Sequence, residues 1–271
     1  MGKSFKSFDS TSIYYETMGD DYKKRAIIFI HGLGGDLTAW NKERKYLLER
    51  GFSSVAMDLR AHGLSDRPQK GEQYTLISFA KDVESLIEKE LLKKPIIVGH
   101  CFGGMVALTL NGLYPHLSRA QVLVDAGYKQ PYLSQLFMKN QTLHHLKNII
   151  EKYLPKNHIS GHRNFDIYKN SGDYNVKRIV SDIAHVSLKS YLEISDQLLD
   201  FDATSLLNKV KIPTLIIEGL EDSIIPPKMA EFLHLRIIKS ELKLIKHANH
   251  ILLTNNPIDV AKTIYNFIIK V

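Results

Sequence analysis

The sequence predicts an α/β fold: a mostly parallel central sheet with helices on both faces and a helical insertion. Three observations predict it. Short β-branched apolar runs of strand length alternate with longer stretches of helical period. The runs are apolar at nearly every position, which is the signature of buried parallel strands rather than half-exposed ones. The alternation then stops between residues 127 and 210, where no strand-like run occurs.

The elements follow in order. Phe5–Met18, with alternating Ser, Tyr and Phe, predicts an antiparallel hairpin at the sheet edge. Strands are predicted at Ala26–Ile30, Ser54–Met57, Pro95–Val98, Gln121–Val124, Thr214–Ile217 and Leu242–Ile245. Helices are predicted at Thr38–Glu49, Leu76–Leu91, Gly104–Tyr114, Pro227–Ile237 and Pro257–Ile269, the last two opening on a proline suited to a first helical turn. Strand–helix alternation implies right-handed crossovers and a parallel sheet covered on both sides. Residues 127–210 carry helical patterns at Leu133–Tyr153 and Val176–Leu199, with a polar break around Asn157–Asp173. This segment is expected to form a lid over the core, which is itself built from residues 1–126 and 211–271. The lid holds eleven Lys and Arg against eight Asp and Glu.

The 271 residues suffice for one large domain. The net charge of +7 is spread along the chain without a basic run, so nucleic-acid binding is not expected. A single cysteine excludes an intramolecular disulfide and points to a reducing, cytoplasmic setting. The opening MGKSFKSFDS has no apolar stretch of signal-peptide length, and no apolar run is long enough to span a bilayer. No metal is expected: His144 and His145, adjacent on a predicted helix, point about 100° apart and cannot easily share one. No organic cofactor is implied.

The strongest chemical signal is Gly99-His100-Cys101-Phe102-Gly103-Gly104, between a predicted strand and a predicted helix. It has the form of a nucleophile elbow with Cys at the centre. Flanking glycines let strand and helix approach, and the helix N-terminus favours a thiolate. Four more motifs stand in order. They are His31-Gly32-Leu33-Gly34-Gly35, followed by Trp40; Asp58-Leu59-Arg60-Ala61-His62-Gly63-Leu64-Ser65; Gly219-Leu220-Glu221-Asp222; and Asn249-His250.

Taken together, these motifs resemble the α/β-hydrolase superfamily over nearly the whole chain, in its lidded lipase/esterase form. Ala61 and Asn249 depart from common glycines. Cys101 stands where most relatives carry Ser, which is similar to the dienelactone-hydrolase and polyhydroxyalkanoate-synthase branches. The resemblance implies Cys101 as nucleophile, His250 as base and Asp222 as the acid that orients it. His247 competes with His250, and Asp125 or Glu221 with Asp222. The backbone N–H groups of Leu33 and Phe102 would form the oxyanion hole, where one donor is typically worth about 2.7–4 kcal/mol. His31, Arg60 and Asp66 are expected to support loops.

The implied reaction is hydrolysis of a small-molecule carboxylic ester or thioester through an S-acyl intermediate, an acyl-CoA or acyl carrier protein being one such thioester. Two rival readings stay open. One is an acyltransferase using the same intermediate; the other is a ligand-binding receptor on a hydrolase scaffold with little turnover.

Overall fold

The computed structural model describes residues 2–20, 23, 25–130 and 158–271. Eight strands form one sheet: β1 (Gly2–Lys6), β2 (Ser12–Met18), β3 (Ile27–Ile30), β4 (Ser54–Met57), β5 (Ile96–His100), β6 (Ala120–Val124), β7 (Thr214–Gly219) and β8 (Ser240–Ile245). Their spatial order is β1-β2-β4-β3-β5-β6-β7-β8. β1 pairs antiparallel with β2, and β2 antiparallel with β4. All later pairs are parallel, as the continuous apolar runs require.

Helices cover both faces. In chain order they are α1 (Asn41–Leu48), α2 (Leu76–Lys89), α3 (Phe102–Leu113), α4 (Val176–Val186), α5 (Leu188–Leu199), α6 (Thr204–Leu207), α7 (Pro227–Arg236), α8 (Leu252–Asn255) and α9 (Pro257–Ile268). One apolar core joins Ile28, Ile30, Ile97 and Leu123 to Phe79, Val83 and Leu86 of α2 and to the α3 residues Val106 and Leu110. A second, on the opposite face, joins Ile27, Phe29, Val98 and Val122 to Trp40, to Leu47 of α1 and to Val260, Ile264 and Phe267 of α9. Alternate residues of one strand feed opposite cores, as the two-residue side-chain period dictates.

Three boundaries differ from the sequence-based expectation. The expected helix at Thr38–Glu49 begins as a 3₁₀ turn, Leu37–Trp40, because the Asp36 side chain accepts from Thr38 N–H and tightens the entry. The expected single helix over Val176–Leu199 is two, broken at Ser187, whose φ is 76° and whose side chain caps α5 by accepting from Ser190 N–H. β8 is a half-exposed edge strand rather than a buried one, since it pairs only with β7 and turns Glu241 and Lys243 to solvent. The expected helix Leu133–Tyr153, with His144 and His145, lies outside the described residues. Among the described residues no helix is long and apolar enough to cross a membrane.

Candidate active site

Every chemistry-bearing motif falls just beyond the carboxyl end of a sheet strand, where an open α/β sheet forms its crevice. β5 delivers Cys101, β6 Asp125, β7 Asp222, and the loop after β8 His250.

Cys101 has φ 49° and ψ −112°, a strained conformation at the N-cap of α3. The elbow survives because two glycines let backbone segments touch. A Cβ on Gly99 would collide with the Gly103 carbonyl, and one on Gly103 would collide with the carbonyls of Ile30 and His31. The loop after β3 is equally close: a Cβ on Gly32 would stand 3.4 Å from Cβ of Cys101. Cys101 and Leu33 line one cavity, and Phe102 opens α3 with its ring edge-on to Phe79, 4.8 Å between centroids.

His250 Nδ1 donates to Asp222 Oδ2 at 2.7 Å, and both side chains are buried. Oδ1 of Asp222 accepts from the backbone N–H groups of Ile224 and Ile225 at 2.7 and 2.8 Å. That leaves Nε2 of His250 for Cys101, whose side chain interacts with it. Burial works against an imidazolium here, but Cys101 and Asp222 overcome it and hold the His250 pKa well above the ordinary imidazole value. The structure therefore brings together Cys101, His250 and Asp222, the three residues that the sequence picks out.

The competitors fall elsewhere. His247 is exposed and pairs with Glu221 at 3.2 Å on the surface. Asp125 is buried and within 4.8 Å of a His250 ring nitrogen, but its Oδ1 accepts from Gly219 N–H at 2.9 Å and its Oδ2 lies 3.8 Å from His100, while His250 Nδ1 is taken by Asp222. His100 itself donates to the His250 carbonyl at 3.1 Å; burial, with His250 second, pushes its pKa down to about 3. The supporting residues behave as expected. His31 accepts from Leu59 N–H at 3.0 Å, Arg60 grips Asp82 and Asp9, and Asp66 accepts from Ser12 N–H.

Four residues of the 158–173 and 176–199 regions bear on the site without having been singled out in the sequence. Asp173 accepts from His250 N–H at 2.9 Å and from both N–H and Oγ of Ser223, so one carboxylate ties the acid-bearing loop to the His-bearing loop. Arg163 and Arg178 line the cavity beside Cys101 and share Asp182 between them, at 2.6 and 3.0 Å. Arg163 also donates to the Gly34 carbonyl. Apart from Arg178–Asp182, an i,i+4 pair within α4, these pairings have no local sequence signature, because their partners are distant in the chain.

Donors with metal-binding geometry exist, but most are engaged. In the group His100, Asp125 and His250, His250 Nδ1 is held by Asp222 and His100 Nε2 by a carbonyl. A second group, Asp125, Glu218 and Asp222, lies deeper.

Comparison with known proteins agrees with this fold. A family model described as "alpha/beta hydrolase fold" matches residues 25–257. This chain belongs to that family. Among its relatives, the mouse "Protein ABHD8" (Mus musculus) is 26% identical over 253 residues, covering 90% of this chain and 55% of that protein. The chain thus spans about half the length of the ABHD8 relatives it matches. The "AB hydrolase superfamily protein YisY" of Bacillus subtilis is 25% identical over 263 residues, 92% of each chain. Among solved structures, an esterase from Exiguobacterium antarcticum superposes with a TM-score of 0.77 at 21% identity, over 99% of both chains.

Proposed function

We propose that this protein hydrolyses a carboxylic ester or thioester through an acyl group carried on Cys101. The observation that carries the reading is the buried Asp222–His250 pair beside a cysteine on a strained strand–helix turn. His250 Nε2 takes the thiol proton. The sulfur attacks the carbonyl carbon, and the N–H groups of Leu33 and Phe102 receive the developing oxyanion. The imidazolium then protonates the departing alcohol or thiol. In the second half, His250 removes a proton from water, hydroxide attacks the acyl carbon, and the acid and the free thiol are released. Asp222 fixes the imidazole tautomer and stabilises its charge. Residues 127–210 act as the lid of this site, and a reducing, cytoplasmic setting keeps Cys101 as a thiol.

The test is intact-mass spectrometry with p-nitrophenyl acetate and butyrate. A transient acyl adduct is expected on the wild type and absent from Cys101→Ala. His250→Ala should lose at least about 10³-fold in kcat, as members of a catalytic unit do. No turnover, together with a Cys101 inert to iodoacetamide at neutral pH, sinks the proposal. Added alcohol in the assay reports acyl transfer if ester products form.

A thioester with a phosphate-bearing leaving group is the more specific reading. Arg163 and Arg178 favour it through their place on the cavity wall, where Arg178 pairs with Asp182 and Arg163 with Asp182 and Asp36. Arg178→Gln should raise KM for an acyl-CoA about tenfold while leaving KM for the p-nitrophenyl ester nearly unchanged. Equal changes for both substrates would remove this reading.

A further inference from the structure

Behind the Asp222–His250 pair lies a second layer of acids. Carboxylate oxygens of Asp125, Glu218 and Asp222 all fall within 4.8 Å of one another, and all three residues are buried. Their surroundings are unequal. Asp222 receives two backbone N–H groups on one oxygen and His250 on the other. Asp125 receives one backbone N–H, from Gly219, and among the described residues its Oδ2 meets no donor unless the Glu218 carboxyl supplies one. Glu218 is fully buried on β7, and among the described residues neither of its oxygens meets a donor.

A buried carboxylate without a donor or counter-cation is strongly disfavoured, and three ions packed together more so. Protons relieve the conflict. A neutral carboxylic acid gains a donor of its own, which a neighbouring carboxylate can accept. Burial comes first in lifting Glu218 far above the ordinary range, followed by the neighbouring Asp125 and then Asp222. Burial likewise lifts Asp125, against the attraction of His250. The groups that face Glu218 are Asp125 beyond β6, Asp222 beyond β7 and His250 beyond β8; His100 at the end of β5 faces Asp125 and is held neutral.

We propose that Glu218 is a neutral carboxylic acid that donates its proton in a hydrogen bond to Asp222, so that the trio carries its negative charge on the one member that touches His250. Glu218 is then a positioning residue for His250, and its kinetic consequence rests on the reading of His250 as base. A donated hydrogen bond favours the charged form of its acceptor. It therefore steadies the Asp222 carboxylate that fixes the productive His250 tautomer.

The experiment is infrared spectroscopy of the carboxyl C=O stretch at pH 7, with exchange into D₂O, on the wild type, Glu218→Gln and Glu218→Leu. Bands of protonated carboxyls are expected in the wild type, and both variants should lose one of them. This readout needs no turnover, so it stands whether or not ester hydrolysis is found. On the turnover side, Glu218→Leu removes the donor and should move the acid limb of kcat/KM upward by roughly one pH unit. Glu218→Gln, whose amide still donates, should restore the limb to within a few tenths of its wild-type position. An unchanged set of bands in Glu218→Gln overturns the proposal. So does a wild type with no such band at pH 7, which would indicate three carboxylates around a bound cation, checked by metal analysis of the purified protein. Equal displacement of the limb in both variants also overturns it. If Glu218→Leu does not fold, the infrared comparison with Glu218→Gln decides alone.

Discussion

Cys101 can hold φ 49° only because its neighbours give way, and the sharpest dependence is on Gly103. A methyl there meets two carbonyl oxygens from the β3 loop, and both belong to backbone that the sheet holds in place. Gly103→Ala is therefore expected to destabilise the fold by at least about 3 kcal/mol and to displace the elbow, abolishing turnover. Gly51 offers a contrast of a different kind: its φ of 81° disfavours any side chain, yet nothing lies within 4 Å of a Cβ there. Gly51→Asn, with a residue that tolerates that conformation, should cost under about 1 kcal/mol and spare activity. Urea melts of the two variants side by side check the claim. Similar losses in both would show that crowding at the elbow is not what Gly103 relieves.

Segments distant in sequence meet at the site through charged contacts as well as apolar packing. His162 donates to Asp58 at 2.8 Å, Arg163 reaches Gly34 and Asp182, and Asp173 bridges the loops of Asp222 and His250. Asp173→Ala removes the acceptor of three hydrogen bonds at once and leaves the buried His250 N–H unmet, so kcat should fall by roughly 10–100-fold. An unchanged kcat would show that the two loops hold their places unaided. These elements also mark what the sequence can and cannot disclose. β3 to β7 are legible because apolar runs of strand length announce themselves. Cys101, Asp222 and His250 are legible because each sits in a short motif of its own. The break at Ser187 is not, since α4 and α5 share one apolar period across it. The edge position of β8 is decided by pairing, which no local pattern encodes. Asp173 and Arg163 meet partners far along the chain, and only folding reveals what they touch.

The whole molecule carries two opposed sets of buried titratable groups. Burial pushes the Glu43 carboxyl from its ordinary 4.5 up to about 8, and among the described residues neither of its oxygens meets a donor. Glu218 and Asp125 are raised too, mainly by burial. The folded chain keeps these protons where the unfolded chain has lost them, so stability falls as pH rises above 4.5. His31 and His62, buried, and His100, partly buried, have lowered pKa values, desolvation leading in each. They stay neutral when folded while the unfolded chain binds protons below 6.5, so stability falls as pH drops below that value. Between 4.5 and 6.5 the slopes oppose and nearly cancel. Above 6.5 the carboxyls act alone among these six, and the raised pKa of His250 adds to the decline, its stabilisation being lost as pH climbs through its folded value. Stability is therefore expected to peak between about pH 4.5 and 6.5, falling on the alkaline side by about 1.4 kcal/mol per pH unit for each extra proton held. Urea midpoints from pH 4 to 9 measure the curve. Glu43→Gln removes one titrating group without adding charge, so its gain over wild type should be about 3 kcal/mol larger at pH 8 than at pH 5. Parallel profiles for the two proteins would mean that Glu43 is not held protonated, and a wild-type optimum above pH 7 would mean that the buried acids do not dominate the balance.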